Sequence, residues 1–78
     1  MIRVLLFAEL EDAAGARELD LSLEEGTVSD VRAILKEKHP NLNAIDQAMP
    51  AVNEEYANGD DKVKAGDTIA FIPPVSGG

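Results

Sequence analysis

The order of patterns along the 78 residues predicts a two-layer α+β domain, in which a mixed sheet packs on one main helix. Two segments near the start have the length and apolar pattern of strands, and a single amphipathic helix follows them. A further apolar segment near the end has the length of another strand. A chain of this size holds one small core, so a single domain is expected.

The first two strands are predicted at residues 2–8 and 17–23. Residues 2–8 form a short β-branched and aliphatic run, which is typical of a central strand. Residues 17–23 alternate between apolar and polar side chains, as a half-buried strand does. Residues 10–16 between them are interpreted as a hairpin-like connection.

The main helix is predicted to begin after Thr27, because Thr27 and Asp30 resemble a capping box. Residues 24–26 before it are interpreted as a turn. The apolar stripe of this helix consists of Val28, Val31, Ile34 and Leu35. By the same spacing Arg32 points away from the core, and Pro40 ends the helix.

The remaining segments complete the sheet. Leu42, Ile45 and Met49 have helical spacing and predict a short helix or turn that closes the core. Residues 51–57 are expected to contain a short strand, and residues 68–73 the last strand.

A hairpin, a crossover helix and a late strand place the last strand beside the first and parallel to it. This arrangement is the outline of the β-grasp, or ubiquitin-like, fold. We assign residues 1–73 to the β-grasp domain and residues 74–78 to an extended, flexible C-terminal diglycine tail. Pro73 and Pro74 mark the boundary, because a proline cannot continue a central ladder.

Charge and composition exclude several functional classes. The net charge of −8 lacks the basic footprint of a nucleic-acid binder and disfavours a surface that binds anionic lipid. Cysteine is absent, so disulfides, thiolate nucleophiles and cysteine metal sites are excluded. The apolar run near the start is too short for a signal peptide or a membrane span, so a cytoplasmic location is expected.

The chain offers no catalytic set of its own. The single histidine, His39, has no nucleophile and carboxylate near it in the pattern of a hydrolase. The adjacent acidic pairs lack calcium-loop spacing, so no metal site is predicted. The sequence therefore favours a carrier over an autonomous enzyme.

An exposed apolar surface is predicted on the sheet face that turns away from the helix, because successive strand residues point to opposite faces. The predicted partner-binding patch consists of Leu5, Phe7, Tyr56, Ala70 and Ile72. Exposed apolar patches usually mark binding sites. The alternative is that loops or the tail cover some of these side chains.

The tail is the second candidate site. Four of its residues are expected to thread into a partner's site: Pro74, Val75, Ser76 and Gly77. The last two glycines would fit a channel that admits only backbone, and the α-carboxylate of Gly78 is the reactive group. Fully extended, the tail reaches on the order of 16 Å. The alternative is a frayed, inert terminus.

Three stretches carry a resemblance to a known family. They are the opening run 2–8, the tripeptide 51–53, and residues 66–78, where Gly-Asp, an apolar strand and Pro-Pro-Val-Ser-Gly-Gly follow one another. Over essentially its whole length the chain resembles the small, sulfur-carrying subunits of molybdopterin synthases. Ile72 stands where an aromatic residue is frequent in this group.

The resemblance implies a sulfur carrier in molybdenum cofactor biosynthesis. An ATP-dependent, E1-like activating enzyme would adenylate Gly78 and convert it to a thiocarboxylate. That group would donate sulfur to the cyclic pyranopterin monophosphate precursor, in a pocket supplied by the large synthase subunit. The chain itself would bind no cofactor; the activating enzyme would use the ATP. It would be no enzyme on its own but the sulfur-donating subunit of a heteromeric sulfurtransferase.

Two alternatives stay open at this point. The chain could be another β-grasp sulfur carrier, for thiamine thiazole or tRNA thiolation, or a protein-conjugating modifier. It could also be a non-catalytic β-grasp interaction module that uses its patch and has an inert tail.

Overall fold

A computed structural model of the protein describes residues 1–74. Within this range it has seven strands, two α-helices and one 3₁₀ helix. The strands are β1 (Ile2–Leu6), β2 (Glu18–Leu21), β3 (Glu25–Thr27), β4 (Met49–Val52), β5 (Glu55–Tyr56), β6 (Lys62–Lys64) and β7 (Thr68–Ile72). The helices are α1 (Glu9–Ala14) and α2 (Val28–Lys38), and the 3₁₀ helix spans Asn43–Gln47.

The main sheet has five strands in the order β2-β1-β7-β4-β5. Strand β1 pairs with β7 in parallel, with Val4 beside Ile69 and Leu6 beside Phe71. The other neighbours in this sheet are antiparallel, so the sheet is mixed. The predicted parallel pairing of the last strand with the first is therefore confirmed.

Helix α2 begins where the sequence predicts it, at a reciprocal capping box. The Asp30 backbone N–H donates to the Thr27 hydroxyl at 3.2 Å, and the Thr27 backbone N–H donates to the Asp30 carboxylate at 3.0 Å. These bonds satisfy two of the backbone groups that a helix start leaves unpaired. The helix ends at Lys38, two residues before Pro40.

The core lies between α2 and one face of the main sheet. Its buried side chains are almost all aliphatic, and Phe71 is the single aromatic among them within residues 1–74. The core residues contributed by β1, β7 and α2 are Ile2, Val4, Leu6, Ile69, Phe71, Val28, Val31 and Leu35. Leu42 and Ile45 close one end of this core, as their spacing predicts.

The connection predicted at residues 10–16 does join an antiparallel pair of strands, β1 and β2, but it is helical and not a simple turn. Residues 9–14 form the short helix α1 instead, which buries Leu10 and ends at Gly15 in the left-handed region, with φ at +78°. Six residues are fewer than two helical turns, too short for a helical period to show in the sequence. Packing of Leu10 on the core supplies the stability that so short a helix lacks alone.

The turn predicted at residues 24–26 is also only partly right. Residues 25–27 form β3, which pairs with β6 in a separate two-stranded sheet. The partner strand lies more than thirty positions later in the chain. Local patterns cannot reveal such a pairing, because three residues are too few for an alternation to be recognised.

Arg32 does not point away from the core as its spacing suggested. It donates from Nη2 to the carbonyl oxygen of Ala48 at 2.9 Å. Its guanidinium carbon lies 5.7 Å from the centre of the Phe71 ring, in cation–π range. The side chain therefore connects the outer edge of α2 to the segment that leads into β4.

Candidate functional site

The five residues of the predicted patch lie together on the sheet face opposite α2. They line one open concavity, whose wall also includes Ala51, Asn53, Glu54 and Thr68. Phe7 and Ile72 are 38% and 37% exposed, and Tyr56 is 73% exposed. The predicted proximity of these side chains is thus found in the structure. That the surface binds a partner stays a prediction.

The strand register explains why these side chains meet. Leu5 lies beside Ala70, Ala70 beside Ala51, and Ala51 beside Tyr56, so one row crosses four strands on the same face. Directly paired strand residues project to the same side of a sheet. Ile72 lies two residues further along β7, and Phe7 is the first residue after the end of β1. The small side chains of Ala70 and Ala51 form the floor, and the larger ones form the rim.

Met49 extends the patch and was placed wrongly by sequence reasoning. Its spacing from Ile45 suggested a core position, but Met49 begins β4, lies beside Ile72 in the register and is 52% exposed. The signal that could have found it is the strand alternation, since Met49 and Ala51 are two positions apart and share a face. The patch therefore comprises Leu5, Phe7, Met49, Tyr56, Ala70 and Ile72.

Asn53 fixes the turn at one end of the patch. It joins β4 to β5 together with Glu54, and both residues have positive φ, at +51° and +73°. The Asn53 backbone N–H donates to the Thr68 carbonyl at 2.8 Å, and the Thr68 N–H donates to the Asn53 side-chain oxygen at 3.1 Å. Asparagine tolerates this backbone region better than most residues. The paired bonds hold the β4–β5 turn against the start of β7.

Asp67 completes this arrangement behind the patch. The Lys64 backbone N–H donates to one carboxylate oxygen of Asp67 at 2.9 Å, and the Asn53 amide nitrogen donates to the other at 3.1 Å. These two bonds, the Lys64 bond first, lower the pKa of Asp67 below its ordinary value of 3.8. Asp67 therefore binds Asn53 and the preceding turn most strongly as a carboxylate.

We expect Asp67 to stabilise the fold at neutral pH and to lose that contribution in acid. Its folded-state pKa lies below its unfolded value, so the stabilisation is complete above that unfolded value. It is lost as the pH falls through the lower, folded-state pKa. Asp67→Asn should therefore lower the free energy of unfolding at neutral pH, and by less in strong acid. Urea unfolding of both proteins over a pH series measures the difference.

Asp60→Asn is the matched control for this prediction. Asp60 is exposed in the loop before β6, and no side-chain hydrogen bond to it occurs among residues 1–74. The control removes the same charge, so it isolates the effect of the two bonds at Asp67. A destabilisation by Asp67→Asn that is equal at all pH values, or matched by the control, would contradict the expectation.

The end of β7 sets the position of the predicted tail. Strand β7 stops at Ile72, one residue before the predicted end of the last strand, and Pro73 follows directly; the division into a domain of residues 1–73 and a tail of residues 74–78 stays a prediction. The patch residue Ile72 is therefore the last strand residue before the tail. Pro74 is the last described residue, and the other predicted tail positions, Val75, Ser76, Gly77 and Gly78, lie outside the described residues.

Residues 1–74 contain no group of three or more histidine, aspartate or glutamate side chains that could hold a metal ion. In the same range, neither α-helix has the length and apolar composition that a membrane crossing requires.

Comparison with known proteins supports the resemblance seen in the sequence. The model of the ThiS family matches residues 4–78. The molybdopterin synthase sulfur carrier subunit of Dictyostelium discoideum is 37% identical, over 97% of this chain and 94% of that protein.

Two solved structures show the same fold and are informative about function. The crystal structure of the modifier protein SAMP1 from Haloferax volcanii has a TM-score of 0.81 at 33% identity, covering 99% of this chain and 98% of that one. A protein–protein complex of subunits 1 and 2 of the molybdopterin-converting factor from Helicobacter pylori contains a similar chain. That chain has a TM-score of 0.71 at 26% identity, with coverage of 99% and 97%. The predicted β-grasp fold is confirmed, and the chain belongs to the ThiS family.

Proposed function

We propose that this chain is the sulfur carrier subunit of a molybdopterin synthase. The observation that carries the proposal is the family match, which extends through the diglycine to Gly78. The relatives that bear this function match the chain over nearly their whole length, as the one from D. discoideum does. The absence of a cysteine suits this role, since no internal thiol can capture an activated terminus.

The chemistry resides at the α-carboxyl group of Gly78. A carboxylate is a poor electrophile, because its leaving group would be oxide. An ATP-dependent, E1-like enzyme transfers AMP to the carboxylate and releases pyrophosphate, which gives a mixed anhydride. A hydrosulfide ion then attacks the carbonyl carbon and displaces AMP, and the product is a thiocarboxylate on Gly78. ATP serves the activating enzyme, and this chain holds the sulfur covalently.

The thiocarboxylate then acts within the synthase complex. Its sulfur forms a bond to a carbon of the cyclic pyranopterin monophosphate precursor as a carbon–oxygen bond at that carbon breaks, which joins the two molecules as a thioester. Water then cleaves the bond between the Gly78 carbonyl carbon and sulfur, so the sulfur stays on the precursor and Gly78 returns to a carboxylate. Pro74, Val75, Ser76 and Gly77 thread the site of the large subunit, and the patch binds the surface beside it. The complex of converting-factor subunits from H. pylori supports this pairing. This chain contributes the sulfur atom and positions it through its tail and patch, and the large subunit contributes the substrate pocket.

Reconstitution of sulfur transfer tests the proposal. The thiocarboxylated chain is mixed with the large synthase subunit and the precursor, and molybdopterin formation is measured. The proposal predicts product in proportion to the thiocarboxylate supplied. Product from the unmodified carboxylate form at the same rate would overturn it.

A further inference from the structure

The apolar patch lies between two glutamates that have no cationic partner among residues 1–74. Glu18 is exposed on the edge strand β2 and lies beside Leu5 in the register. Glu54 is exposed in the β4–β5 turn and is the one charged residue among those that line the concavity. The ion pairs found in this part of the chain are Arg17–Glu11 and Lys36–Asp46, which involve neither glutamate.

Nearby cations do not neutralise the negative charge of Glu18 and Glu54. Arg3 lies directly opposite Asp20, one row away from Glu18, so two acids and one cation leave that side negative. Lys62 and Lys64 lie beyond Tyr56, in an adjoining depression that shares Asn53 and Tyr56 with the patch concavity. That depression also contains Glu55, Asp61 and Asp67, so its three acids outnumber its two lysines. The patch is therefore apolar in its centre and negative at both ends of its long row.

The spacing of the two glutamates follows from the sheet. Glu18 and Tyr56 occupy the two ends of a row that crosses five strands, and Glu54 lies in the turn next to Tyr56. Neighbouring strands are about 4.8 Å apart, so the row from Glu18 to Tyr56 spans roughly 19 Å, and Glu54 lies beside its far end. A complementary surface must present its charges at a similar distance, with an apolar group between them.

We propose that the patch binds a surface of the large synthase subunit that presents an apolar side chain between two cationic groups, which face Glu18 and Glu54. This inference rests on the proposed function and specifies the chemistry of the partner. Complementary charge at the border of an apolar contact speeds the encounter and fixes its register. Lysine or arginine side chains, roughly 19 Å apart, supply this complement.

Charge also argues against a second copy of this chain as the occupant. A self-complementary contact on the patch would bring acidic ends of two molecules together, each with a net charge of −8. Like charges at an interface oppose association. Charge therefore favours a basic partner over a second copy as the occupant of the patch.

Three charge reversals of equal size test the inference. Glu18→Lys and Glu54→Lys alter the two ends of the patch. Glu37→Lys is the control, because Glu37 is exposed on α2, which packs on the opposite face of the sheet. Each variant moves the net charge from −8 to −6, so the overall attraction to a basic partner changes equally. Rates of association with the large subunit are measured at low and high ionic strength.

The expected result is slower association of the two patch variants, and not of the control, with a difference that shrinks at high ionic strength. At low ionic strength the two patch variants should associate about ten-fold more slowly than wild type, and the control less than two-fold more slowly. The differences should shrink at high ionic strength, because salt screens exposed charges. Equal rates in all three variants, with wild-type binding intact, would overturn the inference and leave the proposed function standing.

Two further outcomes separate the alternatives. Failure of the wild-type chain to bind the large subunit would overturn the proposed function and this inference together. A stable homodimer in light scattering that Phe7→Asp dissociates would also overturn the inference, since a second copy would then occupy the patch.

Discussion

Removal of Gly77 and Gly78 is expected to abolish sulfur transfer while leaving the fold and the binding of the large subunit intact. The truncated chain still ends in a carboxylate, but that group is about 7 Å short of its former reach. It also belongs to Ser76, whose side chain does not fit a channel built for backbone. The described core and patch contain neither glycine, so neither should change.

The matched variant for this deletion adds one glycine after Gly78. It keeps both native glycines and introduces no side chain, yet it moves the terminal carboxyl group by about 3.5 Å. Catalysis depends on reacting atoms placed to within about an ångström, so transfer should fall to background here as well. Molybdopterin formation, thermal unfolding and large-subunit affinity are measured for both variants. Full transfer by either one would show that the tail is inert.

Phe7→Asp is expected to weaken binding to the large subunit by about 30-fold or more. Phe7 lies at the rim of the patch and is 38% exposed, so it is available to a partner. Truncation of a buried aromatic anchor at an interface commonly costs about 2 kcal/mol, and each 1.4 kcal/mol corresponds to a factor of ten in affinity. A buried carboxylate in its place adds a desolvation cost.

The control for this substitution is Ala33→Asp. Ala33 is exposed on α2, on the face of the domain away from the patch, and the substitution adds the same charge. Ala33→Asp should lower the free energy of unfolding by less than about 1 kcal/mol, as an exposed helix position allows. Phe7→Asp should lower it by more, because Phe7 is only 38% exposed, so affinities are compared at a temperature where circular dichroism shows both variants to be fully folded. Equal loss of affinity in the two variants, or no loss with Phe7→Asp, would remove the patch from the account.

Patterns that depend on neighbouring residues in the chain are predictable from this sequence. The capping box at Thr27 and Asp30 places the start of α2 correctly, because its two bonds span only three residues. The parallel pairing of β1 with β7 is predictable for another reason. One crossover helix and few strands leave few arrangements that obey the rules of chain connection.

Features that depend on distant partners are not predictable in this way. The pairing of β3 with β6 joins two three-residue strands that no local pattern marks. Met49 has helical spacing from Ile45, but pairing with Ile72 takes it into a strand and exposes it. Arg32 reaches a carbonyl group sixteen residues later in the chain, a contact that helical periodicity does not encode.

The same distinction applies to the candidate site: strand alternation predicts some of its residues, and its other features depend on contacts between distant parts of the chain. Strand alternation is sufficient to place Leu5, Phe7, Ala70 and Ile72 on one face, since the period of two is strict. The hydrogen bonds that the Asn53 side chain accepts from Thr68 and donates to Asp67, which shape the end of the patch, depend on the folded turn. The acidic ends of the patch likewise appear only when β2 and the β4–β5 turn are placed on the sheet.

The most direct test of the account is the intact mass of the chain after incubation with ATP, its activating enzyme and a sulfur source. The account predicts a gain equal to the replacement of one oxygen by sulfur, located at Gly78 by fragmentation of the C-terminal peptide. The gain should require ATP and should be absent from the chain that lacks Gly77 and Gly78. An unchanged mass with an activating enzyme that modifies another carrier in the same assay would contradict the account.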